Sequence, residues 1–174
     1  MRNPQWWIVP LFTLVLLAAR TSSAQPAAHP AVRSGVGVGA EATTTGIVGG
    51  TFVYDASVFH IDVLLGGTFD PDDSVTAVAG RFFFPLHVSP SADFSIGPGV
   101  GLEHRTHHAG PPPEVSTSTN AAHVEGAIQI RAFIVPNVAL SASAGVGAVF
   151  RSGNNSAVIG GQLGGALGVT YFFF

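Results

Sequence analysis

The stretch "AHVEGAIQIRAFIV", Ala122–Val135, decides the fold. Its even positions read Val124, Gly126, Ile128, Ile130, Ala132 and Ile134. Its odd positions read His123, Glu125, Ala127, Gln129, Arg131 and Phe133. A period of two residues is the signature of a strand whose two faces meet different surroundings. One face here is wholly apolar and small; the other carries charge, amide and imidazole.

The same unit recurs along the chain. Alternating runs cover approximately Arg33–Ala42, Ile47–Tyr54, Phe59–Phe69, Val75–Val88, Phe94–His104, Ala122–Val135, Val138–Arg151 and Ala157–Phe173, which makes eight. Turn chemistry separates them: "TTTG", "DAS", "DPDD", "SPSAD", "HHAGPPPEVSTSTN", "PN" and "SGNNS". Glycine and β-branched residues dominate the runs, so no long helix is expected.

When the apolar face of each run is set outward, the arginines Arg33, Arg81, Arg105, Arg131 and Arg151 all turn inward. Glu41, Asp62, Glu103, Glu125, His60, His123, Gln129 and Gln162 turn inward with them, and no charge remains outside. A soluble sandwich would reverse this arrangement. It would also need more charge than the 10% present, against roughly 25% in ordinary globular domains. A spanning sheet in lipid must close on itself and keep its lipid face uncharged. The expected fold is therefore all-β: an eight-stranded antiparallel transmembrane up-and-down β-barrel. Strands of about 9–11 residues suffice to cross at a tilt.

The ends of the chain fit this reading. Arg2, the apolar run Ile8–Ala19 and the small residues Ser22 and Ala24 compose a secretory signal peptide over residues 1–24. Residues 25–32 follow as a short periplasmic segment, and residues 33–174 make the barrel. There is no cysteine, hence no disulfide framework, and no lysine. The five arginines beyond the signal peptide face ten carboxylates, which excludes a nucleic-acid-binding surface.

Aromatic residues are expected at the interfaces. Phe52, Tyr54, Phe59, Phe84, Phe94, Tyr171 and Phe173 fall near the periplasmic end of the outer face, with Phe69 and Phe150 near the outer end. Pro98 stands mid-strand, where a missing N–H calls for a glycine-flanked bulge.

In this pattern the chain resembles the small outer-membrane barrels of the OmpA/OmpX type. The closing "LGVTYFFF" carries the most specific likeness: Leu167, Val169, Tyr171 and Phe173 match the alternation with which that family ends, and Phe174 lies one residue beyond it. The resemblance implies a Gram-negative outer-membrane location, lipid and lipopolysaccharide as surroundings, and a terminal strand read by the barrel-assembly machinery. It implies a monomer.

An eight-stranded barrel is just wide enough for side chains to fill. The expected lumen is thus a plugged polar network of Arg33, Glu41, His60, Asp62, Arg81, Glu103, Arg105, Glu125, Arg131 and Arg151. Glu103 with Arg131 and Glu125 with Arg105 are candidate pairs. No cofactor, metal or catalytic residue is expected, and the role is read as non-enzymatic: membrane integrity, or contact through the Thr106–Asn120 loop. "EHRTHH", with His123 and Glu125, reads as a solvated rim rather than a zinc site. Two alternatives remain. One is a narrow pore. The other is an outer-leaflet lipid A acyl hydrolase, for which His104 projects toward lipid with Ser116 and Ser118 in the adjoining loop, although no His-x-Ser pair stands on a strand.

Overall fold

The computed structural model describes residues 34–70, 72–109, 115–151, 154–159 and 165–173. The segments 1–24 and 25–32, Arg33, Gln162 and Phe174 lie outside the described residues.

Each alternating run becomes a strand: β1 (Ser34–Thr43), β2 (Val48–Ala56), β3 (His60–Phe69), β4 (Asp73–Val88), β5 (Ala92–Ala109), β6 (Val115–Val135), β7 (Val138–Arg151), β8 (Asn154–Ile159) and β9 (Ala166–Phe173). Every neighbouring pair is antiparallel. The order runs β1 to β7 consecutively, and β9 joins β7 to β1, so the sheet has no end. It is a closed eight-stranded barrel, because β8 and β9 share one position: β8 pairs with the upper part of β7 and β9 with the lower part.

That sharing corrects the single eighth strand expected over Ala157–Phe173. β7 advances only from Val146 to Ser143 while the opposing chain advances from Ile159 to Ala166. The residues between are those of the run "GGQLGG", of which 160–164 lie outside the described residues. Asn154–Ser156, expected in a turn, belongs to β8.

A second correction concerns the stretch from Thr106 to Asn120. It is not a loop at both flanks: β5 and β6 stay paired through Thr106↔Ser118 and His108↔Ser116 to Ala109↔Val115. Threonine, serine and valine favour the extended backbone, and each rung is added to one already formed. Among the described residues β6 pairs with β7 up to Ala121↔Arg151, and β5–β6 pairing continues beyond that level.

Pro98 brings the third correction. The β4–β5 register keeps the same phase on both sides of it, Arg81↔Gly99 and Phe84↔Ile96, with the ladder interrupted at Phe82 and Phe83. The bulge instead lies between Pro85 and His87, nearer the end of β4. The wall meets closely here: a Cβ on Gly97 would run into the Phe82 carbonyl oxygen, so only glycine fits. Gly46 turns the β1–β2 connection at a φ of 90°.

The two faces separate as the alternation demands. Val38, Phe52, Leu65, Val78, Ile96, Leu102, Val124, Ile130, Val146 and Val169 are all exposed outside. Inside, Ile47, Leu64, Val75, Ala77 and Ala79 pack as one apolar cluster, and Val53, Ala139 and Phe172 pack with Phe133 as another. Between and around these clusters sit the buried polar groups. A one-residue slip would exchange the two faces, which is what holds the register.

The outer-face aromatics expected at one end of the barrel lie together there and gain a member, Phe82. Phe59 stacks on Phe82 at 4.9 Å, Phe82 meets Phe84 edge-on at 4.8 Å, and Tyr171 meets Phe173 at 5.1 Å. Phe173 stands opposite Val36 and Tyr171 opposite Val38, so the terminal strand closes the ring against β1.

Candidate functional site: the barrel interior

Three layers of ionic contact occupy the interior. In the lower layer, β6 offers Arg131 and β5 offers Asp93, which its register sets directly opposite. Arg131 Nε donates to Asp93 Oδ1 and Oδ2 at 3.1 and 3.0 Å. Its Nη2 reaches Asp93 Oδ2 at 2.8 Å and Asp55 Oδ2 at 2.7 Å. The guanidinium also lies 5.7 Å from the Phe133 ring centroid and 5.8 Å from that of Phe172. Only arginine presents a planar fork able to bind two carboxylates while its face meets rings. Asp55 serves twice, since its Oδ1 also accepts the Ser57 N–H at 2.8 Å and so fastens the β2–β3 turn, where Ser57 sits at a φ of 66°.

Beside it runs a chain of side-chain hydrogen bonds through an amide. His60 Nε2 and Gln129 Oε1 are 2.7 Å apart, and Gln129 Nε2 donates to Asp62 Oδ2 at 2.8 Å. Gln129 thus bridges β3 and β6 across the lumen. His60 and Gln129 are each 1% exposed, among the most buried side chains described.

The middle layer centres on Arg81 of β4. Its Nη1 contacts Glu41 Oε1 at 2.7 Å and its Nε contacts Glu125 Oε1 at 3.2 Å. These partners stand on β1 and β6, neither of which adjoins β4, so this bridge also crosses the lumen. All three side chains are almost wholly buried.

The upper layer is looser. Arg105 lies 3.5 Å from both Asp73 and Glu103, with 43% of its side chain exposed. Glu103 faces His123 at 3.3 Å. Arg151 is exposed at the top of β7.

Neither anticipated pair forms. Glu103 meets Arg105 and His123 rather than Arg131, and Glu125 meets Arg81 rather than Arg105. The reason is height: β5–β6 pairing sets Asp93 against Arg131 at one end and Glu103 against Ala121 at the other. Asp55 and Asp93 are hidden in the sequence because both fall within turn-like stretches, the first residue of "DAS" and the last of "SPSAD". The usable signal was the alternation itself: Thr51, Val53, Asp55 on one strand and Asp93, Ser95, Gly97 on another continue the inward faces.

"EHRTHH" does not converge. His104 is on the outer face while His123 and Glu103 are inside, so the wall separates them. Among the described residues no group of three histidine or acidic side chains is placed to hold a metal.

No protein-family model matches the chain, and no curated protein matches it. Solved structures do. The N-terminal β-barrel domain of Pseudomonas aeruginosa OprF superimposes with a TM-score of 0.52 at 14% identity, over 81% of this chain and 98% of that one. Neisserial surface protein A superimposes with a TM-score of 0.51 at 11% identity, over 80% of this chain and 94% of that one. The chain has the fold of the small outer-membrane barrels. At these identities the likeness is one of architecture, and the interior side chains described above are this chain's own.

Proposed function

We propose that the chain is a monomeric outer-membrane barrel of a Gram-negative cell whose polar lumen is plugged, and that the barrel body is structural. It supports membrane integrity or surface contact, not transport and not catalysis in its interior. The observation that carries this reading is Arg81, held between Glu41 and Glu125 across the middle of the lumen. The Arg131 clamp below it adds a second bar. Ions crossing the barrel would have to part buried pairs whose separated members cost several kcal/mol each. The exposed aliphatic wall, lacking charge, supports lipid and lipopolysaccharide as its surroundings.

Under this reading residues 1–24 direct export, and Leu167, Val169, Tyr171 and Phe173 present the signal to the barrel-assembly machinery as they close the sheet on β1. Planar-bilayer recording of the refolded chain tests the lumen. A silent bilayer is expected; steady single-channel steps from the native sequence would favour the narrow pore. Membrane fractionation of expressing cells tests the location.

A further inference from the structure

The outer wall carries a cluster that a structural barrel does not use. His104 and Thr106 are two apart on β5 and so share its outward face, with Asn120 and Ser118 of β6 directly across from them. His104 Nδ1 donates to Asn120 Oδ1 at 2.8 Å. A neutral imidazole that donates from Nδ1 has an accepting Nε2. That nitrogen lies 3.4 Å from Thr106 Oγ1, which is itself 3.5 Å from Ser118 Oγ.

We propose that Thr106, His104 and Asn120 form an acyl-transfer site for a long-chain acyl ester of a membrane amphiphile. The contacts stand in the order that covalent catalysis needs, hydroxyl to base to orienting group. Such hydroxyl–base contacts are commonly long before substrate arrives. The His-x-Thr spacing on a paired strand supplies the rigidity that a loop would lack.

Position selects the substrate class, and this rests on the membrane reading above. Ten residues separate outward-facing Phe94 from His104 along β5, about the length a tilted strand needs to cross. The cluster therefore lies at the interface opposite the aromatic end. Immediately below it, on the same wall, Val78, Val100, Leu102 and Val124 are exposed. An acyl chain lying along that wall brings its ester to the level of His104. Among the described residues the β5–β6 ladder continues above the last β6–β7 pair, Ala121↔Arg151, and Asn120 is exposed.

In the reaction Thr106 Oγ1 bonds to the ester carbonyl carbon as its proton passes to His104 Nε2. The carbon–oxygen bond of the ester breaks, and the leaving alcohol takes that proton. Water then attacks the acyl-threonine as its proton passes to Nε2; the bond from Oγ1 to the acyl carbon breaks, Oγ1 takes that proton back, and the fatty acid leaves. Asn120 holds the ring in the tautomer both steps require.

The test uses the full chain folded in detergent, with folding scored by the mobility shift on boiling. A long-chain alkyl fluorophosphonate is expected to add one phosphonyl group, mapped to Thr106. T106A and H104A abolish the adduct, while T106S, with a less crowded hydroxyl, keeps or accelerates it. N120A slows labelling by at least about 10-fold and alters its pH profile, within the range that loss of an orienting partner produces. Fatty-acid release is then measured from phospholipid vesicles and, separately, from lipopolysaccharide; release in one arm names the source. Adduct formation unchanged in H104A, or no release in either arm from folded protein, overturns the proposal. A chain that never shows the mobility shift overturns the barrel reading instead.

Discussion

Arg131 and Arg105 stand on adjacent strands, both inward, both beside carboxylates, and they live in different media. Arg131 is buried, holds two aspartates at 2.7–3.1 Å and lies against two phenylalanine rings. Arg105 is nearly half exposed, and its closest acidic oxygens are at 3.5 Å. A buried pair makes the loss of one partner expensive, because the remaining charge has no water to turn to. An exposed pair is screened and contributes little. Identical chemistry is thus structural at one end of the barrel and nearly neutral at the other.

The comparison breaks or sharpens by substitution, read as the urea midpoint of the boiling-sensitive mobility shift in detergent. Arg131→Ala strands Asp55 and Asp93 together and is expected to cost about 3–5 kcal/mol. Replacing both aspartates by asparagine on that background should recover much of the loss, since the stranded charge is then gone. Arg81→Met is next, at about 3 kcal/mol, because Glu41 and Glu125 lose a shared partner. Gln129→Leu leaves His60 and Asp62 without their bridge and should cost roughly 1–3 kcal/mol. Arg105→Ala should cost under about 1 kcal/mol, and that cost should shrink further in salt. If Arg105→Ala matched Arg131→Ala, burial would not be the deciding variable.

The interior was legible in part. Strict alternation in Ala122–Val135 and Phe59–Phe69 sorted inward from outward residues without any knowledge of neighbours, because a strand's faces are set by its own backbone. Asp55 and Asp93 are not legible as inward residues because their strands run on into residues with strong turn preferences, and local preference yields to the ladder when the next rung is already formed. The Thr106–Asn120 stretch misled for the same reason. Its serines and threonines read as loop, but across from one another they pair.

The sequence by itself determined eight alternating runs, their two faces, the closed sheet and the uncharged outer wall, all of which follow from a period of two and from what lipid tolerates. Only the tertiary structure decided who meets whom. Arg81 finds Glu41 and Glu125 on strands that do not adjoin its own, and His104 finds Asn120 through the register of one hairpin. Closure curves the sheet until distant strands face each other across a narrow lumen, and that distance is written in strand number and stagger rather than in any local stretch.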